Sequence, residues 1–217
     1  MTAASTTTTR RADPAFLRAR LGSLLAVVPL GIWTIAHLWH NLSAFQGAEA
    51  WERDVTEYPH RLAFVATSLV ALLPIGLHAV WGIGRLVTTR PNNVKYNFYP
   101  NLKYLLQRLS AIGVLLFLGA HLWRALIVPR AFEGHAETFE DIAHMMRTHM
   151  PTLTVYVLGV LGVAYHLANG LHTFAMGWGL VSSQRALKKL EILALLVFVL
   201  LLAMGWGGIY ALWDAGS

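Results

Sequence analysis

The sequence predicts an all-α integral membrane protein, a single bundle of five transmembrane helices. The chain has 217 residues, of which 56% are hydrophobic and only 13% charged, whereas soluble domains carry about 25% charged residues. Five stretches are almost free of charge, and each can supply the roughly 20 apolar residues that cross a bilayer. They are residues 21–42, 62–84, 109–128, 153–181 and 192–213.

The charges alternate from one connection to the next. Twelve of the 17 lysines and arginines lie in the N-terminal segment and in connections 85–108 and 182–191, and nine of the eleven acids lie on the opposite side. The positive-inside rule therefore predicts a cytoplasmic N-terminus, an outside C-terminus and a multi-pass protein of the cytoplasmic membrane. Residues 1–20 are predicted to be a polar cytoplasmic segment without a cleaved signal. Topology also explains the net charge of +6 without a nucleic-acid partner.

Local signals refine these five elements. The third is the weakest, because Arg108 and Arg124 leave only 15 uncharged residues between them. The pairs Val128-Pro129 and Met150-Pro151 predict helix boundaries. Pro29 lies inside the first stretch and Pro74 inside the second, where each predicts a kink. No internal repeat and no soluble domain is predicted, so residues 1–217 form one domain.

The chain has no cysteine, which excludes structural disulfides, iron–sulfur clusters held by this chain and haem attached through C-x-x-C-H. Any cofactor needs histidine, methionine or oxygen ligands. Four of the ten histidines lie well inside an apolar stretch, one in each of the first four: His37, His78, His121 and His166. A buried ionisable residue in a membrane indicates function by default, because burying it without compensation is expensive.

Depth sorts these four histidines into pairs. At 1.5 Å per residue, His37 and His121 share an outer level, and His78 and His166 share an inner level about 15 Å away. Two opposed imidazoles saturate a haem iron and leave no position for oxygen. The pattern therefore predicts two stacked b-type haems that carry electrons. Glycines near the ligands, among them Gly159, are expected to let the flat macrocycle approach the backbone.

Other interpretations of the histidines stay open at this point. Any one alone could hydrogen-bond a neighbouring backbone, and a transporter or channel could use all four as a proton relay. His40 is the rival ligand in the first stretch, and His172 is expected near the inner interface. The remaining histidines are expected to be solvated in outer connections: His60, His135, His144 and His149.

The segments around the four histidines resemble the five-helix dihaem cytochrome b anchor subunit of succinate:quinone oxidoreductases, which include succinate dehydrogenases and fumarate reductases. The resemblance runs through most of the chain, and four segments carry it: RLGSLLAVVPLGIWTIAHLWHN, LHAVWG, LQRLSAIG followed by AHLW, and YHLANGLHTFAMGWG. It implies that His37 and His121 ligate the outer haem and that His78 and His166 ligate the inner one. It departs at His172, which looks aromatic in relatives.

The resemblance also implies contacts to the haem propionates from Arg20, Ser23, Gln107 and Arg108. Arginine and amide donors suit carboxylates. Snorkelling to lipid headgroups is the alternative for the two arginines.

The function implied by the resemblance is electron transfer within respiratory complex II of the tricarboxylic acid cycle. A flavoprotein subunit with FAD would oxidise succinate, an iron–sulfur subunit would dock on this anchor, and electrons would pass through both haems to a quinone, taken as menaquinone. This chain would be the quinone-reactive subunit of the enzyme, with Glu57 and His60 as candidate proton relays near the outer haem. The alternatives are the dihaem anchor of a hydrogenase or formate dehydrogenase, and the proton-relay transporter.

Overall fold

The protein is described by a computed structural model that covers residues 14–89, 95–96 and 98–217. Within these residues every regular element is helical. Most of the predicted polar segment, residues 1–13, lies outside the described residues, as do residues 90–94 and 97 of the connection after the second predicted helix. The first helix begins at Pro14, so the last part of that polar segment is helical.

The described chain contains eight α-helices and four segments of π- or 3-10 helix. In order they are α1 (Pro14–Leu25), a π-helical segment (Ala26–Gly31), α2 (Ile32–Asn41), a 3-10 helix (Leu42–Gln46), α3 (Ala48–Trp51), a π-helical segment (Glu52–Thr56), α4 (Arg61–Thr88), α5 (Tyr99–Leu122), a π-helical segment (Trp123–Glu133), α6 (Phe139–Thr148), α7 (Met150–Gly177) and α8 (Gln184–Ala215).

Five continuous helices in the described chain are long and apolar enough to cross a membrane, as predicted. Spans 1 to 5 are Arg20–Gln46, Arg61–Thr88, Tyr99–Glu133, Met150–Gly177 and Gln184–Ala215. Span 3, the weakest prediction, is the longest of them. The spans run alternately up and down, and we call the end of the bundle where span 1 starts the N face and the opposite end the C face. The N face is the one predicted to be cytoplasmic.

Large side chains on the spans point away from the bundle. Val80, Val87 and Leu116 are each more than 70% exposed. Such exposure is expected where lipid tails, and not water, surround the protein, because lipid is as apolar as leucine.

The prolines differ in their effect on the helices. Pro29 lies in the π-helical segment of span 1, and Met150-Pro151 begins α7 as predicted. The prediction that Val128-Pro129 ends a helix was wrong, because span 3 continues through Pro129 as a π-helix. Prolines and π-helical turns locally rearrange the hydrogen-bond ladder, so a helix can pass through a residue that has no N–H. Gly134, in the left-handed conformation at φ 80°, ends the helix.

A short amphipathic helix covers the C face. Four apolar side chains of α6 are 8% exposed or less: Phe139, Ile142, Ala143 and Met146. They pack with Trp51, Ile209 and Leu212 in one buried cluster, and Thr138 caps the helix by accepting a hydrogen bond from the Asp141 N–H at 3.2 Å. This helix therefore closes the bundle against the water on that face.

Candidate haem-binding site

A cavity of about 750 Å³ runs through the bundle, toward the large end of the roughly 300–1,000 Å³ usual for ligand pockets. It extends from Arg20 and Arg108 at the N face to Arg130 at the C face. All four intramembrane histidines line it: His37, His78, His121 and His166. Span 5 contributes to the lining near the C face through Gly205 and Gly208.

The structure brings the histidines together two by two. The ring centroids of His37 and His121 are 5.9 Å apart with the ring planes at 65°, and those of His78 and His166 are 6.1 Å apart at 69°. An iron with an imidazole nitrogen about 2.0 Å away on each side places the two ring centroids roughly 6 Å apart. Each pair is therefore spaced so that its two histidines would hold one haem iron between them.

The two pairs lie at different levels of the membrane. The hydroxyl of Tyr156 is 3.2 Å from Nδ1 of His121, and His166 follows ten positions later on the same helix, α7. Ten residues of α-helix rise about 15 Å. The cavity therefore offers two ligand pairs stacked across the bundle, one toward each face.

Aromatic rings support the C-face pair. Trp33 stacks on His37 at 4.7 Å between ring centroids, and Phe117 stacks on His121 at 5.5 Å. The Tyr156 hydroxyl holds Nδ1 of His121, which leaves Nε2 as the ring nitrogen that would bind a metal. Rotation of either ring would have to displace a stacked neighbour.

Gly159 has a different role from the one expected. A Cβ at this position would overlap the ring of Phe117, and Gly159 itself is not part of the cavity lining. The glycine therefore makes room for an aromatic side chain that stacks on His121. Gly82 and Gly170 do line the cavity.

Polar groups support the N-face pair. The Ser110 hydroxyl lies 3.3 Å from Nδ1 of His166 and donates to the Gln107 carbonyl at 3.0 Å. The Gln107 amide lies 3.2 Å from the same Nδ1, donates to the His166 carbonyl at 3.1 Å and accepts from Asn169 Nδ2 at 2.8 Å. Nδ1 of His78 is buried and has no hydrogen-bond partner among the described residues.

The four predicted propionate contacts all line the cavity, three of them at the N face. The Arg20 guanidinium lies 5.9 Å from the Trp178 ring centroid, and Ser23 Oγ accepts from Trp178 Nε1 at 3.1 Å. Arg108 donates to the carbonyls of Leu86 at 2.6 Å and Thr89 at 2.7 Å, so it caps the end of α4. Gln107 lies deeper, beside His166. Propionate binding by these residues remains a prediction.

The other histidines lie outside this cavity. The rival ligand His40 is exposed, and so are His135, His144 and His149, as expected for solvated residues. His172 lies in the last turns of α7, toward the N face. Its side chain is 6% exposed, and neither ring nitrogen has a hydrogen-bond partner among the described residues.

The predicted quinone residues lie at the C face. A second pocket of about 270 Å³ opens there beside the main cavity and shares Thr56, Tyr58, Phe64 and Arg130 with it. His60 lines this pocket, and its Nδ1 accepts a hydrogen bond from the Ala63 N–H at 3.1 Å. Glu57 is exposed and lines neither space.

Sequence reasoning missed several residues of the site. The cavity lining includes Tyr156 and Glu137, and Ser110 lies beside His166. None of the three belongs to a recognisable sequence pattern. Asn169 carried a usable signal, because it follows His166 by three residues and therefore shares its helix face. The others become visible only when the helices are packed together.

Glu137 is the buried acid of this site. It is 6% exposed, it lines the main cavity near the C face, and its Oε1 has no hydrogen-bond partner. Burial raises the pKa of this carboxyl to about 7, an effect that Arg124 opposes. A group of this kind exchanges its proton near neutral pH.

Comparison with known proteins agrees with this architecture. No protein-family model matches the chain. The chain is 33% identical over 199 residues to the protein named succinate dehydrogenase cytochrome b558 subunit of Bacillus subtilis (strain 168), an alignment that covers 90% of this chain and 96% of the relative. With five membrane-spanning helices, the chain belongs to the family of succinate dehydrogenase cytochrome b membrane subunits.

Proposed function

We propose that this chain carries electrons from the iron–sulfur subunit of a succinate dehydrogenase through two b haems to a quinone, taken as menaquinone. Family membership gives the coarser part of this statement: the chain is a cytochrome b subunit of that enzyme complex, which implies haem b and partnership with the other subunits. The observation that supports the finer part is the presence of two histidine pairs, with ring centroids 5.9 and 6.1 Å apart, in one cavity.

The residues of the cavity would hold and orient the two groups. A haem with two histidine ligands exchanges single electrons and has no open position for oxygen. Trp33, Phe117 and Tyr156 fix the C-face imidazoles, while Gln107 and Ser110 fix His166 at the N face. The lining of the cavity is mostly apolar, which would keep water away from the path between them.

The charges suggest how the subunit meets its partners. The N face has Arg20, Arg108 and the basic connections, so we propose that the flavoprotein and iron–sulfur subunits dock there from the cytoplasm. Arg20, Ser23, Gln107 and Arg108 line the nearby cavity and would hold propionates.

We place quinone reduction at the C face. The pocket there combines the apolar rings of Tyr58 and Phe64 with Arg130, whose guanidinium lies 4.8 Å from the Phe64 ring centroid. Rings and one positioned cation suit a flat, apolar quinone with polar oxygens. His60 lines this pocket and Glu57 does not, so His60 is the better placed of the two proposed proton relays.

The proposal is tested by purifying the complex through a tag on this chain. We expect a reduced b-type spectrum, about two haems per chain, co-elution of a flavoprotein and an iron–sulfur protein, and reduction of both haems by succinate. A haem protein without the succinate-oxidising subunits would point to the anchor of another dehydrogenase, such as a hydrogenase or formate dehydrogenase. A colourless protein would contradict the proposal and favour a transporter.

A further inference from the structure

The main cavity contains one carboxylic acid, Glu137, that the electron path described above does not use. It follows a short exposed stretch, since Glu133, Gly134 and His135 all face solvent, and two residues later its own side chain is buried in the cavity lining. The side chain therefore lies between water on the C face and the interior of the bundle.

Its bonding leaves the carboxyl group available. Oε1 is buried without a hydrogen-bond partner, and so is Nε of Arg124. A buried acceptor without a partner is expensive, which suggests that a ligand or a mobile proton satisfies it part of the time.

The surroundings of Glu137 combine both signs of charge. The titratable and charged groups that face it come from the Trp123–Glu133 segment, α6 and α7, and they are Arg124, Arg130, Glu133, Asp141 and Tyr156. Arg130 also lines the C-face pocket, so the same guanidinium acts on Glu137 and lies at the proposed quinone position. The two arginines lower the pKa of Glu137 and the two acids raise it, so burial is the largest cause of its shift to about 7.

We propose that Glu137 passes protons from water on the C face to the quinone that is reduced in the adjoining C-face pocket. The inference rests on the proposed function. Two electrons arrive from succinate through the complex, and the quinone takes up two protons as two O–H bonds form. For each proton that passes through Glu137, the O–H bond of its carboxyl breaks, the proton moves to a quinone oxygen, and the carboxylate recovers a proton from water.

The test uses the purified complex with succinate and a soluble dimethylnaphthoquinone. In Glu137→Gln we expect quinone reduction to fall at least about 10-fold, since a positioned acid contributes about 10²-fold or more, while succinate still reduces the haems. Glu137→Asp should retain part of the rate with a shifted pH profile. Glu140→Gln is the matched control, because Glu140 is exposed on α6 and undergoes the same carboxyl-to-amide replacement.

A second readout does not depend on turnover. In infrared difference spectra between oxidised and reduced complex, a carboxyl C=O band should be present in the parent protein and in Glu140→Gln and absent in Glu137→Gln. Wild-type quinone reduction with an unchanged pH profile in Glu137→Gln would overturn the inference. If that variant does not assemble, an unchanged profile in Glu137→Asp overturns it equally. Failure of succinate to reduce the haems in the parent complex would instead refute the proposed function.

Discussion

The two histidine pairs have nearly the same spacing but different surroundings. Ring centroids are 5.9 Å apart toward the C face and 6.1 Å apart toward the N face. The first pair is held by stacked rings, Trp33 on His37 and Phe117 on His121, and the second by the amide and hydroxyl groups around His166. Spacing is therefore set by how the helices pack, while each environment is set by a few neighbouring side chains.

This difference gives the two ends of the cavity different chemistry. The C-face end adds a buried carboxyl, Glu137, and an open pocket next to it. At the N-face end the described cavity lining has cations but no acid, and Arg108 there caps α4. This difference is why we propose the C-face end as the place where electron transfer is coupled to proton uptake.

The largest expected effect is the loss of a haem. Replacing His37 or His121 by alanine should remove the C-face haem, and replacing His78 or His166 should remove the N-face haem, because a single imidazole holds the iron much more weakly than two. Haem-to-protein ratio and redox titration of the purified variants measure this. His40→Ala is the control and should keep both haems, since His40 is exposed and outside the cavity. Two haems in all four variants would refute the ligand assignment.

The five spans could be predicted from the sequence because crossing a bilayer imposes a length and a lack of charge that composition alone reveals. The path of the chain at Pro129 could not be predicted, since a π-helical segment continues through this proline. Helix α6 carried a signal that the hydrophobicity of the spans obscured: Phe139, Ile142, Ala143 and Met146 have the i, i+3, i+4, i+7 spacing of an amphipathic helix.

Part of the candidate site could be predicted from the sequence and part could not. The two levels of the histidines could, because an α-helix rises a constant 1.5 Å per residue. The supporting groups Tyr156, Ser110 and Glu137 depend on how the helices rotate about their axes and on the path of a loop. Depth does not contain that information, so only packing shows them.

The next effect concerns the pH dependence of stability at the C-face end. Folding raises the pKa of Glu137 from 4.5 to about 7, so the folded state keeps a proton that the unfolded chain loses in this interval. The free energy of unfolding should therefore decrease as pH rises from 4.5 to about 7, in total by on the order of 3 kcal/mol. Glu137→Gln should remove that decrease, which melting temperatures measured across this pH range would show.

An acid at the N face provides the matched control for this measurement. Glu191 is 48% exposed and pairs with Lys103, so Glu191→Gln should change stability by less than about 1 kcal/mol and keep the parent pH dependence. A parent-like decrease in Glu137→Gln would show that another group is responsible.

The smallest effect distinguishes the two pairs most directly. With Nε2 on the iron, Nδ1 of His121 donates to the Tyr156 hydroxyl at 3.2 Å and Nδ1 of His166 to the Ser110 hydroxyl at 3.3 Å. Such an acceptor makes the imidazole more basic and favours the ferric state. Tyr156→Phe should therefore raise the potential of the C-face haem, and Ser110→Ala that of the N-face haem, each by roughly 20–60 mV for a lost hydrogen bond of about 0.5–1.5 kcal/mol.

Each of these variants is the control for the other. Redox titration followed at the α band should resolve two potentials, of which only one moves in each variant, because the two levels lie about 15 Å apart and share no hydrogen bond among the described residues. If both potentials moved together in either variant, the two haems would be coupled through the protein, and the separate environments seen around His121 and His166 would not act independently.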